Sequence, residues 1–139
     1  MNKIIIVLFI LSTFSFAEDG LFYIEGTGIK AISMSLGVSS IDFGDVYNDS
    51  DVEPVLVDFS LNAEAGYNYQ VEISNNDNSK VVQISRTSNG GYTDGTITYK
   101  AIATGEDEPQ EFYVDLDTGI MTGDLSAIIT VMVVYLEII

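Results

Sequence analysis

The sequence predicts an all-β domain, a sandwich or a barrel of seven or eight strands. Apolar and polar residues alternate with a period of two in several short segments, as in strands with one buried face. Clusters of Gly, Asn, Asp and Ser separate these segments at intervals of roughly ten residues, which is typical of sandwiches and barrels. No segment between them has the spacing of apolar residues that an amphipathic helix requires.

The alternating segments define six strands directly. Each segment places apolar side chains on one face, and the residues between them are mostly polar. The predicted inward residues are Ile32, Met34, Leu36, Val38; Val55, Val57, Phe59, Leu61; Tyr69, Val71, Ile73; Val82, Ile84; Ile97, Tyr99, Ala101; and Phe112, Val114, Leu116. The predicted turns, whose residues tolerate positive φ or hydrogen-bond their own backbone, cover 48–51, 65–66, 75–79, 88–91, 105–109 and 117–119.

Two further segments depart from simple alternation. Residues 41–46 (Ile-Asp-Phe-Gly-Asp-Val) contain Gly44, which predicts a bulge or a tight crossing between sheets. Residues 127–136 are apolar at nearly every position, which predicts a central strand buried on both faces. This run is too short for a membrane anchor and is rich in β-branched residues, so we expect no transmembrane anchor.

The first seventeen residues have the pattern of a signal peptide. A basic start at Lys3 precedes the apolar run 4–10, and small residues at Ser15 and Ala17 fit a cleavage site before Glu18. We therefore divide the chain into a signal peptide (1–17), an N-terminal extension or first strand (18–28) and a β-sandwich domain (29–139). The expected location is outside the cytoplasm, in the periplasm or on the cell surface.

The composition excludes several classes of function. The chain contains no Cys, His or Trp, so thiolate and imidazole chemistry are absent. Beyond residue 17, four basic residues stand against 21 acidic ones, a formal charge of −17. Such a surface repels nucleic acid. We expect a protein that is not an enzyme and needs no cofactor.

Carboxylates and aromatic rings still offer candidate sites. Asp107 with Glu108, or Asp115 with Asp117, could form a glycosidase pair, although spacing along one strand gives no evidence of a cleft. The loops 48–51 and 75–78 carry oxygen ligands suited to Ca²⁺, but Asx-rich turns explain them without a metal. Tyr113 is the one ring that alternation turns outward, as a platform for sugar would require. We assign no catalytic residue and no metal site.

The strongest functional hint lies directly after the predicted cleavage site. Leu21, Phe22, Tyr23 and Ile24 form an apolar cluster between Gly20 and the segment 26–28. The cluster is either an ordinary first strand or a free extension that adds to a sheet edge of another copy. The sequence leaves both alternatives open.

Four features together resemble exported pilin-like domains of the spore coat protein U type, which are related to chaperone–usher pilins. They are the signal peptide, the segment 41–46, the turn and strand 65–71, and the final strand 123–135. The resemblance implies an immunoglobulin-like antiparallel β-sandwich that lacks its last strand, with a groove filled first by a periplasmic chaperone and then by a neighbour's extension. An outer-membrane usher is a further implied partner. The missing Cys and the residues after Tyr135 depart from that pattern.

We therefore expect a secreted structural subunit of a pilus-like or fimbria-like surface assembly. It self-associates, or associates with related subunits, through β-strand addition. The strand-donating segment is Leu21, Phe22, Tyr23 and Ile24, and the acceptor strand carries Ile129, Val131, Val133 and Tyr135. The alternative is a monomeric extracytoplasmic binding module for a glycan or calcium.

Overall fold

The structure, a computed structural model, describes residues 2–11, 16–18, 24–26 and 28–136. Within these ranges nearly all regular structure is β, and one 3-10 turn covers Thr118–Ile120. The all-β prediction is confirmed. No helix in the described part of the chain is long and apolar enough to cross a membrane.

Eleven strands in the described part of the chain form two large sheets and one small sheet. The strands are β1 (Asn2–Leu11), β2 (Phe16–Glu18), β3 (Ile24–Gly26), β4 (Ser33–Leu36), β5 (Ser40–Gly44), β6 (Val55–Asn62), β7 (Asn68–Asn75), β8 (Val82–Ser85), β9 (Ile97–Ile102), β10 (Glu108–Leu116) and β11 (Ser126–Tyr135). The first sheet has the order β5-β1-β11-β7-β9, the second β4-β6-β10-β8, and β2 pairs with β3. Eight of the described strands follow residue 28, in agreement with the predicted seven or eight.

The core lies between the two large sheets. β6 and β10 contribute Val57, Phe59 and Phe112, whose two rings meet edge to face with centroids 6.2 Å apart. β7 and β11 supply the facing layer, which includes Val71 and Val131, both fully buried. Alternation predicted the inward residues of β6, β7 and β10, because each strand turns successive side chains to opposite faces.

The strand order partly matches that of the immunoglobulin fold. In the immunoglobulin fold one sheet has the order A-B-E-D, and in the other sheet strand F lies between C and G. The order β4-β6-β10-β8 reproduces the first sheet, and β11 beside β7 reproduces the F–C pair. The position of strand G, on the other side of β11, is taken by β1. β9 departs from that order, because it follows β8 in the chain and yet pairs with β7.

The prediction that the last strand is buried on both faces is wrong. β11 alternates: Ala127, Ile129, Val131, Val133 and Tyr135 are buried, whereas the residues between them are half-buried. β11 therefore buries one face fully in the core, and its second face is only partly covered. β4 is also less buried than predicted, because Met34 and Leu36 are half-buried rather than fully inward.

The bulge predicted near Gly44 is confirmed. β1 pairs Asn2 with Gly44 but Lys3 with Asp42, so Phe43 is the extra residue of β5. Gly44 has φ +67°, a left-handed conformation that glycine adopts without strain. Its backbone N–H donates to Asp42 Oδ1 at 2.8 Å, which closes the bulge locally.

Candidate site for strand addition

The candidate site is the position between β5 and β11, which we call the β11 groove. In this structure β1 occupies it. β1 runs parallel to β11, with a register from Lys3 opposite Ser126 to Leu11 opposite Val134. It runs antiparallel to β5, from Lys3 opposite Asp42 to Ile5 opposite Ser40. The groove therefore holds a strand by main-chain hydrogen bonds on both sides.

The occupant of the groove also completes the core. The side chain of Ile4 is 0% exposed and that of Ile6 is 6% exposed, and both belong to the central hydrophobic cluster. Ile4 lies opposite Ala127 on β11 and Ile41 on β5, and Ile6 lies opposite Ile129. Burial of a side chain of this size contributes roughly 1.5–3 kcal/mol, so the groove requires apolar residues at alternate positions of whatever fills it.

Tyr135 anchors the far end of the groove. Its hydroxyl donates to the Lys30 carbonyl at 2.6 Å and accepts from the Glu64 backbone N–H at 2.7 Å. Its ring meets that of Tyr67 edge to face, with centroids 6.0 Å apart. These contacts tie the end of β11 to the segment that follows the N-terminal extension.

The predicted acceptor residues all lie on β11. Ile129, Val131, Val133 and Tyr135 turn their side chains into the core. β11 would therefore pair with a partner strand through the N–H and C=O groups of its backbone edge. The four buried side chains hold that edge in place. The other edge of β11 pairs with β7, from Ile129 opposite Asn75 to Tyr135 opposite Tyr69.

Of the four residues of the predicted donor segment, the structure describes only Ile24. Leu21, Phe22 and Tyr23 lie outside the described residues. Ile24 opens β3, which pairs with β2 in a separate two-stranded sheet. In that pairing Ile24 lies opposite Glu18 and Glu25 opposite Ala17, so the hairpin spans the predicted cleavage site.

Sequence reasoning missed the role of residues 3–11 in the sheet. An apolar run such as 4–10 fits both the core of a signal peptide and a buried strand, and periodicity alone does not separate the two. The β-branched residues at positions 4–7 were the available signal for a strand. The structure places this segment between β5 and β11 in the chain that retains it, and its cleavage stays a prediction.

The candidate sites of the binding-module alternative lie elsewhere. Tyr113 is half-buried on β10, opposite Leu56 of β6 and Ser85 of β8. Near it, an open cleft of about 650 Å³ lies along β4, β6 and β10, lined by Ser35, Leu56, Asp58, Ser60, Arg86 and Glu111 among others. Asp58 and Glu111 lie directly opposite each other on neighbouring strands.

The two Asx-rich loops are held by their own hydrogen bonds. Asp77 accepts from the backbone N–H groups of Ser79 and Val82 at 3.1 and 2.8 Å. Burial acts to raise the pKa of Asp77, but these bonds and one from the Ser79 hydroxyl together lower it. In the loop 48–51, Ser50 Oγ donates to the Tyr47 carbonyl at 2.6 Å. In the loop 75–78 both carboxylate oxygens of Asp77, which a cation would need, are therefore already engaged.

The candidate carboxylate pairs have structural partners. Asp107 Oδ1 accepts from the Asn62 amide at 2.8 Å, and Asp115 Oδ1 accepts from the Leu116 N–H at 2.8 Å. Glu108 Oε1 accepts a long bond from the Tyr69 hydroxyl at 3.5 Å, and burial with this neighbour raises the pKa of Tyr69. Among the described residues no group of three or more acidic side chains is arranged to hold a metal ion.

Comparison with known proteins adds no relative. No family model matches the chain, and no curated protein matches it at a significant level. The pilin-type resemblance therefore has no support beyond the residues that suggest it, and the groove carries the functional argument.

Proposed function

We propose that this protein is a secreted structural subunit of a pilus-like surface assembly, which self-associates by adding a strand of one copy to the β11 groove of another. Ile129, Val131, Val133 and Tyr135 hold the acceptor edge, and residues 21–24 donate. A periplasmic chaperone and an outer-membrane usher are the partners that this function would use during export.

One observation carries the proposal. The strand that fills the groove belongs to the segment that the sequence predicts to be removed before Glu18. Without it, β11 has an open backbone edge and the core lacks Ile4 and Ile6, which are now buried. An open apolar edge of this kind is a template for pairing with another chain. Strand addition satisfies both the backbone and the core.

The extension is suited to the donor's role. After cleavage, Glu18 would be the first residue, and 18–28 would precede the domain; the described strand of this segment, β3, lies outside the two large sheets. Four consecutive apolar residues at 21–24 supply alternate side chains to either face of a strand. A donated strand of this length needs no new fold, only an open groove.

Size measurement of the exported protein tests the proposal. We expect residues 18–139 to form multimers in size-exclusion chromatography with light scattering, and residues 29–139 to remain monomeric until a peptide of residues 18–28 is added. The peptide should then bind in a 1:1 ratio and raise the unfolding temperature. If both forms are equally stable monomers and the peptide does not bind, strand addition is wrong.

The cleft along β4, β6 and β10 favours a second candidate, the glycan-binding module. Its polar lining next to exposed Leu56 (45% exposed) offers the mixed surface that sugars use. A panel of glycans should then raise the unfolding temperature of a monomer, and Asp58→Asn should abolish the effect. A multimer with no glycan response would exclude this candidate.

A further inference from the structure

Removal of residues 1–17 affects the acceptor and the donor at once. This inference rests on the proposed function and concerns its regulation. β1 fills the acceptor groove, while β2 pairs with β3, the strand that contains Ile24 of the donor segment. Both β1 and most of β2 precede Glu18. One cut thus changes both halves of the assembly interface.

On the acceptor side, β1 covers nearly the whole free edge of β11. β1 pairs along nine consecutive positions of β11, from Ser126 to Val134. Beyond the register with β5, the Ile6 N–H also donates to the Ser39 carbonyl at 3.3 Å. A strand from another copy would have to displace these bonds and extract Ile4 and Ile6 from the core. The groove of the uncut chain is therefore not available to a partner.

On the donor side, β3 is held by its pairing with β2, and cleavage before Glu18 removes most of β2. Phe16 pairs with Gly26, Ala17 with Glu25, and Glu18 with Ile24. Cleavage before Glu18 removes two of the three residues of β2. β3 then keeps a single paired position, which is too little for a two-stranded ribbon. β3, which contains Ile24 of the donor segment, is then no longer held in this small sheet.

We propose that the leader is an intrachain plug: the uncut chain is closed and monomeric, and separation of residues 1–17 opens the β11 groove and frees the donor segment together. Assembly is thereby confined to chains that have lost the leader. The sequence predicts that this loss occurs during export, so the plug prevents assembly only until residues 1–17 are removed.

The plug can be tested in the chain that retains residues 1–17. A four-residue recognition sequence for a site-specific protease replaces residues 14–17, so that the folded chain can be cut before Glu18. We expect the uncut protein to be a monomer, and the cut protein to lose residues 1–17, as seen by mass spectrometry, and to form multimers. The uncut sample of the same variant is the control.

Each other outcome has a distinct meaning. If the uncut chain forms multimers as readily as the cut chain, the plug is wrong and strand addition survives. If the cut chain loses its leader and stays monomeric, strand addition fails and the plug fails with it. If the leader stays bound after the cut and the chain stays monomeric, cleavage does not open the groove and the inference is overturned.

A substitution in the uncut chain gives an independent readout. Ile4→Asp places a charge at a fully buried position and should expel β1, whereas Ile102→Asp alters an isoleucine that is 63% exposed. We expect a fluorescent peptide of residues 18–28 to bind the Ile4→Asp chain at least tenfold more tightly than the Ile102→Asp chain. Equal binding, with both chains folded by circular dichroism, would contradict the plug.

Discussion

At the scale of single residues, Tyr135 links the end of the acceptor strand to the start of the domain. Its hydroxyl satisfies two backbone groups, the Lys30 carbonyl and the Glu64 N–H, and the residue is only 8% exposed. Unpaired polar groups in such a place are costly. The sequence predicted Tyr135 as a residue of the acceptor strand, but no local pattern indicated hydrogen bonds to residues 71 and 105 positions away.

Tyr135→Phe removes the hydroxyl and leaves both backbone partners without it. We expect the free energy of unfolding to fall by about 2 kcal/mol, since each lost bond to a buried group costs roughly 1–3 kcal/mol. Urea unfolding measures the change. Tyr47→Phe is the control because Tyr47 is 77% exposed, and an equal effect of the two substitutions would contradict the account.

Tyr99 links β9 of the first sheet to β10 of the second. Its hydroxyl donates to Gln110 Oε1 at 2.7 Å, and Arg86 Cζ lies 3.7 Å from the ring centroid. Burial raises the pKa of Tyr99 to about 12, and the nearby Arg86 charge only partly offsets it. The side chain therefore loses its proton less readily in the folded protein than in the unfolded chain.

The raised pKa of Tyr99 predicts a loss of stability in alkali. An unfolded tyrosine titrates near pH 10, so the contribution of Tyr99 is fully present below about pH 10 and is lost as pH rises towards 12. Urea unfolding between pH 9 and 12 should show this decline, and Tyr99→Phe should make it shallower. A decline that Tyr99→Phe leaves unchanged would show that other groups cause it.

At the scale of elements, the bulge in β5 shapes one wall of the groove. Gly44 adopts φ +67°, and the register of β5 against β1 shifts at this point. The sequence predicted the bulge because a glycine inside a strand pattern is a known signal. It did not predict β1 as the partner of β5, because the residues of β1 were assigned to the signal peptide.

Gly44→Ala forces a side chain into the left-handed conformation. We expect the free energy of unfolding to fall by about 1 kcal/mol, the usual cost of this conformation for a residue with a Cβ. Gly28→Ala is the matched control, because a Cβ there meets no atom within 4 Å and its φ is not in the left-handed region. Equal stability of the two variants by urea unfolding would argue against a bulge that depends on glycine.

The sequence predicted the burial of a strand correctly where the residue pattern of that strand alone distinguishes its two faces. β6, β7 and β10 alternate cleanly, and their inward residues were predicted one by one. β11 is apolar throughout, so the extent of its burial depended on what covers its second face, which no local pattern contains. β1 has the same kind of sequence as β11, and its composition was equally consistent with an export signal.

At the scale of the whole molecule, the charge opposes assembly. Each cleaved copy would carry a formal charge of −17, with Lys30, Lys80, Arg86 and Lys100 as its basic residues. Lys80 forms an exposed ion pair with Asp94, 3.7 Å between charged atoms, and contributes little. Like-charged copies repel each other over the screening length of the solution.

Salt should therefore accelerate the association of the cleaved protein. The screening length falls from about 30 Å at 0.01 M to about 10 Å at 0.1 M ionic strength, so we expect the rate of multimer formation to rise several-fold over this range. Light scattering after a jump in NaCl concentration measures it. A rate that falls with salt would indicate that charged pairs, rather than strand addition, drive association.

The absence of cysteine permits the most direct test of strand addition between copies. Two populations of residues 18–139 are prepared, one with Phe22→Cys and one with a single cysteine at Thr130, Met132 or Val134 on the half-buried face of β11. After mixing and mild oxidation, the account predicts covalent heterodimers at one of these β11 positions, because a disulfide forms only where Cα atoms lie within about 7 Å. No heterodimer at any of the three positions, under conditions in which the protein is multimeric, would contradict it.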